Sequence, residues 1–403
     1  MTFLLLLFIP MLVAIGAFVF LKGITWKEFL LHLGIQVLVA GISAAVIYYQ
    51  DTGDYETWNG WVTNKQQVRV SCSHSYQCNC RMVETCTGSG KNRSCSSSQV
   101  CDTCYEHSND WDWDVYTSNQ ETINIDRVDR QGVHAPPRWV AVQIGEPTSQ
   151  RHRYTSYIKA APDTLFRHQG LREKYAGRIP NYPGNVYDYY RLNRLVTQGI
   201  SVENLQAWNE GLSKINADLG SKKQVNMIVV LTDQPQEWYY ALEEVWVGGK
   251  KNDAVLVIGL DQSTGKARWA TVMAWTTAKL FEIKLRDSVM DLPAVTPEAT
   301  LKVLRENVET YYKRKPMADF EYLRASIQPS GTELGIALFI GLLVAVGLTW
   351  LFEVHDVFGD EGRPFQRWSS KRKPTWGRGR DEELDRMMRD LRGGWSPFKK
   401  KFR

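Results

Sequence analysis

The sequence predicts an α/β sandwich with a helix-covered mixed sheet as the ectodomain, plus a small Cys-rich β module and three transmembrane α-helices. Three observations carry this. Between 224 and 275, short runs dense in Val, Ile and Leu flank an amphipathic helical segment. All 7 cysteines lie between Cys72 and Cys104. Three apolar runs, Phe3–Leu21, Phe29–Tyr49 and Leu334–Phe352, can each cross a hydrocarbon core of about 30 Å.

The α/β domain is expected over 200–328. VNMIVVLTD and AVLVIGLD read as buried strands, and ARWATVMAW follows a QSTGK turn as a hairpin partner. Between the first two, Trp238, Tyr239, Leu242, Val245 and Trp246 recur at helical spacing. Asp233 is placed to cap this helix, Pro235 to open it and Gly248–Gly249 to stop it. Ser201–Leu219 reads as an amphipathic helix with Ser201 as cap and Leu205, Trp208, Leu212, Ile215 and Leu219 on one face, ended by Gly220. Two further helices follow. Lys279–Met290 is expected to turn Leu280, Ile283 and Val289 to the core. Thr296–Lys315 is capped by Thr296, opened by Pro297, and carries a stripe of Leu301, Leu304, Val308 and Tyr311 or Tyr312.

The order helix, strand, helix, strand, strand, helix, helix, with the strand VNMIVVLTD, the helix end ALEEVWVGGKKND and the strand AVLVIGLD, resembles the TPM domain family over about residues 200–315. Trp246, Gly248, Lys250 and Lys251 match its helix end. The resemblance implies a membrane-anchored domain outside the cytoplasm, and links the family to phosphatase activity and to Ca²⁺ held by acidic loops. The sequence departs from the pattern at Asn252-Asp253-Ala254 and at Met273-Ala274-Trp275, beside the loops where a ligand would sit. Asp233, Asp253 and Asp261 remain the candidate hard-oxygen ligands. Against this stands their reading as turn and cap carboxylates, so activity does not follow from the fold.

The cysteine module is expected over 51–135, after a polar stalk at Asp51–Asn64. Its fillers are Ser, Asn, Gly and Thr, so it needs staples. In one reading, six of Cys72, Cys78, Cys80, Cys86, Cys95, Cys101 and Cys104 form three disulfides and one thiol is left over, free or joining two chains. In the other, the seven thiolates bind Zn²⁺, with His74 or His107 as an eighth ligand completing two tetrahedral sites. NDWDWDV at Asn109–Val115 reads as a strand, either an edge strand with its Trp residues inward or a cation or sugar surface. Thr122–Val128 and Trp139–Ile144 read as further strands. Residues 136–199, rich in Arg and Tyr, are expected to form an extended linker wrapping the α/β domain, with His152 and His168 as surface residues.

Charge orients the membrane segments. The first two spans (1–50) form a hairpin whose short loop holds Lys22 and Lys27. The third span (329–353) leads to a tail (354–403) that from Arg363 on holds 14 Lys/Arg against 5 Asp/Glu. Loop and tail share a side, which the positive-inside rule makes cytoplasmic, leaving the N-terminus and main domain outside. Ala337, Gly341 and Ala345 form a small-residue stripe for packing on the first two spans or on a second copy. In the tail, Lys371, Arg372, Lys373, Arg378, Arg380, Lys399, Lys400, Lys401 and Arg403 are interleaved with aromatics and suit anionic lipid, with nucleic acid as second partner. The functional expectation is a scaffold or binding component that engages the bilayer and another membrane or envelope protein, with a metal-dependent phosphatase and a zinc-binding module of inverted topology as the alternatives. The chain has no HExxH, GxSxG or nucleotide-binding loop.

Overall fold

The computed structural model describes residues 2–21, 24–87, 94–161, 170–355, 357 and 358. The chain divides into two compact units, one formed by residues up to Ala44 with those from Ser330 on, the other by Ala45–Pro329.

The first unit is helical. Helix α1 is Leu5–Phe20 and α2 is Trp26–Thr52. Helix α10, Gly331–Val354, opens with a capping box in which Ser330 and Glu333 exchange bonds. Among the described residues two helices, α2 and α10, pass as long and apolar enough to cross a membrane where three were expected; α1 is also apolar but, at 16 residues, shorter. Ala337, Gly341 and Ala345 are buried, and Gly341 lies against Pro10 of α1, where a Cβ would come within 3.0 Å of the proline ring. The small-residue stripe therefore packs within the chain. Large apolar side chains such as Leu12, Leu38 and Phe339 face outward, while Glu28, His32 and Gln36 are buried.

In the second unit α2 runs straight into β1, an 18-residue strand at Gly53–Val70. Its first half pairs antiparallel with β6 (Pro147–Thr155) and its second half with β4 (Asp110–Thr117). Strand β5 (Thr122–Ile125) closes a sheet of order β5-β4-β1-β6. The stalk expected at Asp51–Asn64 is thus mostly a paired strand. NDWDWDV lies in an interior strand, not an edge one: Trp113 is buried and donates to the Gly132 carbonyl at 3.0 Å. Trp139–Ile144 is not a strand. Pro137 sits at the first turn of a short helix α3 (Pro137–Ala141), where a missing N–H costs nothing. Two further short helices, α4 (Tyr157–Ala160) and α5 (Leu171–Lys174), follow β6.

Between β1 and β4 rises a separate two-stranded arm, β2 (Ser75–Thr87) with β3 (Ser94–Tyr105). Three disulfides staple it: Cys78–Cys104, Cys80–Cys101 and Cys86–Cys95.

The second sheet has order β10-β9-β8-β7. Strands β7 (Leu195–Gln198), β8 (Asn226–Thr232) and β9 (Asp253–Leu260) are parallel, and β10 (Ala267–Ala274) returns antiparallel. Every residue of β8 is buried, as expected for a central parallel strand covered on both faces. Met227, Val229 and Leu231 point to a layer made by α6 (Leu205–Lys223), α8 (Leu280–Met290) and α9 (Pro297–Tyr311). Ile228 and Val230 point to the opposite layer, with α7 (Trp238–Val245) and Tyr175.

Residues 136–199 are not one extended linker, since β6 and β7 belong to the two sheets. The part near 171–182 does wrap the domain: Trp238 and Trp246 donate to the carbonyls of Arg178 and Pro180. Two helix details differ from expectation. Helix α6 starts after Asn204, leaving Leu205 exposed, and continues past Gly220 to Lys223. Helix α8 buries Phe281, Leu285 and Val289, while Leu280 and Ile283 face solvent.

Candidate functional site

At the base of the disulfide arm four strand ends meet: the end of β1, the start of β2, the end of β3 and the start of β4. Val70 pairs with Asp110, Ser75 with Tyr105, and the Glu106 amide donates to the His74 carbonyl at 3.0 Å. This pairing gathers Cys72, His74, His107 and Asp110, whose donor atoms all lie within 4.8 Å of one another. Cys72 is the unpaired cysteine and is buried; Asp110 is fully buried, and the two imidazoles are about a quarter exposed.

The two imidazoles use the same atom. Each turns its Nδ1 inward, 3.8 Å from the Cys72 sulfur. His107 Nδ1 also stands 3.2 Å from Asp110 Oδ1, and His74 Nδ1 3.3 Å from Asp110 Oδ2. Behind the carboxylate, Arg127 donates to Asp110 at 2.9 Å and to Asp112 at 2.7 Å. Burial raises the Asp110 pKa, but hydrogen bonds from Arg127, Cys72, the Ser73 amide and His107 outweigh it and hold the group below the ordinary carboxylate range.

The loop beside the site is rigidly built. Asp129 accepts from the amides of Gln131, Gly132, Val133 and His134, which hold its carboxyl far below the usual range, the His134 amide contributing most. Gly132 has φ +79°, and a Cβ there would come 2.1 Å from the Trp111 carbonyl oxygen.

The predicted ligand sets fare differently. Six of the seven proposed zinc thiolates, Cys78, Cys80, Cys86, Cys95, Cys101 and Cys104, are consumed in disulfides, so the two expected zinc sites of seven thiolates and one histidine are not formed. Cys72 and His107 do come together, joined by His74, which the sequence offered as an alternative. Asp110 and Arg127 were missed as members of the site. Asp110 was visible only as one acid of the alternating NDWDWDV strand, and nothing marked Arg127.

The three aspartates proposed for Ca²⁺ do not share a site. Asp253 starts β9 and Asp261 follows its other end, about 26 Å away along an extended strand. Asp261 accepts from the Ser263 hydroxyl and amide as a turn carboxylate. Asp233, exposed at the end of β8, accepts from the Gln234 side chain at 2.6 Å instead of capping α7. Asp253 is buried and accepts from Asn226 (2.9 Å), the Lys250 amide (2.6 Å) and Tyr182 (2.8 Å). Burial pushes its pKa up to about 6 against those bonds.

His152 stacks on Trp58 with ring centroids 3.7 Å apart. His168 and the tail residues Lys371, Arg372, Lys373, Arg378, Arg380, Lys399, Lys400, Lys401 and Arg403 lie outside the described residues. Comparison with protein-family models, curated proteins and solved structures finds no match to this chain.

Proposed function

We propose that this is an integral membrane protein that presents a TPM-like α/β domain and a disulfide-stapled arm outside the cytoplasm, as a binding or scaffold component of a membrane or envelope assembly. The observation that carries it is the set of three disulfides in the unit between α2 and α10, since such bonds persist in oxidising compartments. Two apolar helices with outward-facing Leu, Val and Phe support a bilayer setting. We assign α1 as a third crossing. With the 3₁₀ turn Thr2–Leu4 before it, the helical stretch is about 30 Å long, which suffices without tilt. Three crossings put the lysine loop and the basic tail together on the cytoplasmic side. The stapled arm, with Tyr76, Met82 and Tyr105 exposed, is the surface offered to a partner.

The phosphatase alternative draws less support, because the acidic residues it needs stand at opposite ends of β9. Membrane-impermeant labelling of tagged protein in intact cells tests the reading. Tags inserted within residues 88–93 are expected to react from outside, and tags at the C-terminus only after permeabilisation. The reverse pattern overturns it.

A further inference from the structure

Cys72, His74, His107 and Asp110 have a geometry that ordinary hydrogen bonding explains poorly. An imidazole Nδ1 carries at most one proton, yet each of the two Nδ1 atoms faces both the Cys72 sulfur and an Asp110 oxygen. One donor atom from each of the four residues lies within 4.8 Å of the other three, instead of pairing off. Their spacing matches a tetrahedron around a metal. Zinc bonds of about 2.3 Å to sulfur and about 2.0–2.1 Å to nitrogen or oxygen, at tetrahedral angles, give S···N edges of roughly 3.6 Å and N···O edges of roughly 3.3 Å. The observed S···N distances are 3.8 and 3.8 Å, and His107 Nδ1 lies 3.2 Å from Asp110 Oδ1; His74 Nδ1 stands 3.3 Å from the second carboxylate oxygen, Oδ2, which Arg127 also holds.

The charge also fits. A thiolate, a carboxylate and two neutral imidazoles sum to a charge that a divalent cation cancels. Arg127 supplies the outer support that a ligating carboxylate requires, and is itself balanced by Asp112. Calcium and magnesium are disfavoured by the sulfur and the two nitrogens; a borderline-soft ion is favoured.

We propose that Cys72, His74, His107 and Asp110 form a four-coordinate site for a zinc-class divalent metal ion that ties the base of the β2–β3 arm to the antiparallel sheet. Four protein donors leave no open position, so the site is structural and not hydrolytic. It joins residues from both ends of the arm (His74 before β2, His107 after β3) to the end of β1 and the start of β4. The three disulfides hold the arm to itself; none of them reaches the sheet. The metal is the link that fixes the direction in which the arm points. It also sequesters the lone thiol, which would otherwise attack neighbouring disulfides by exchange. The proposal goes beyond the membrane reading and stands without it.

The test uses the full chain purified in detergent without chelator. Elemental analysis is expected to find about one zinc per chain. After EDTA treatment, Co²⁺ is expected to give visible bands of a tetrahedral site and a near-ultraviolet sulfur-to-cobalt band, the latter lost in Cys72→Ser. In the wild type, alkylation of Cys72 is expected to speed up roughly tenfold or more on adding EDTA and to slow again with Zn²⁺. This readout decides the matter even if the serine variant misfolds. Metal-free protein whose Cys72 alkylation ignores both EDTA and Zn²⁺ overturns the site. Zinc retained at full stoichiometry by folded Cys72→Ser and His107→Ala proteins overturns it too.

Discussion

Asn226 donates to Asp253 across 2.9 Å, at the start of the two central parallel strands and directly beneath β1. Through the same Asn226 side chain, whose oxygen accepts from Arg194 at 3.1 Å, a buried carboxylate and a buried guanidinium are bridged without touching. Arg194 continues to Asn59 of β1 and Ser149 of β6, and Asn252 donates to the Thr57 carbonyl at 2.7 Å. This polar seam joins the two sheets, together with the ion pairs of Lys250 with Asp54 and of Arg314 with Glu56. It explains why Asp253 is spent inside the fold and not at a ligand site.

The Asp253 pKa is raised to about 6 by burial, above its ordinary value of 3.8. The folded state then holds a proton that the unfolded state releases, so this group's stabilisation is fully present below about pH 4 and lost as pH rises through about 6. The contribution at stake is about 3 kcal/mol. Asp253→Asn is expected to remove the corresponding slope of stability against pH, read by urea unfolding of the full chain in detergent with Trp fluorescence. An unchanged slope refutes the assignment.

Removing Asn59 leaves the buried Arg194 without a principal acceptor. Asn59→Ala is expected to destabilise the Ala45–Pro329 unit by about 3 kcal/mol, the cost of leaving a buried charge short of an acceptor. Thermal unfolding of this variant beside an exposed control, Gln120→Ala, measures it. Equal midpoints for the two would contradict the seam.

Gly132 is held at φ +79° with the Trp111 carbonyl oxygen where a Cβ would go. Gly132→Ala is expected to cost about 2 kcal/mol or more, because both backbone strain and the close approach oppose it. Gly145, with φ +86° and open space at its Cβ position, is the control, and Gly145→Ala is expected to cost about 1 kcal/mol. Denaturant midpoints for the pair check the difference.

Gly220 lies where α6 crosses β1, and a Cβ there would come 2.6 Å from Asn59 Cβ and 2.7 Å from the Asn59 carbonyl oxygen. Gly220→Ala is therefore expected to destabilise, by about 1–3 kcal/mol, although alanine is the better helix former. A stabilised variant would mean that helix and strand do not meet so closely.

Much of the α/β domain is legible in the sequence. Strands β8 and β9 are uninterrupted apolar runs, and α9 carries both its cap and its proline: Thr296 accepts from the Ala299 amide, with Pro297 following. Strand β7 is not legible, because Leu195–Gln198 has only four residues and draws its order from pairing with β8. The turn of α8 is misjudged from Leu280 and Ile283, since Phe281, Leu285 and Val289, spaced four residues apart, give an equally good apolar stripe. The single unpaired cysteine is readable from an odd count, but which one is not. Cys72 is set apart only by the pairing of β2 with β3, which brings the other six into opposition. The Asp110 and Arg127 contribution depends on β4 lying beside β1, a long-range contact that local pattern does not encode.

The proposed placement of the Ala45–Pro329 unit in an oxidising compartment rests on its three disulfides, with one thiol remaining. Counting thiols by mass after alkylation tests it most directly, on full-length protein taken from intact membranes and denatured in EDTA without reductant. The account predicts one alkylated cysteine, Cys72, rising to all 7 after reduction. Seven alkylated cysteines before reduction would contradict it, returning the arm to a reducing compartment and reversing the proposed topology.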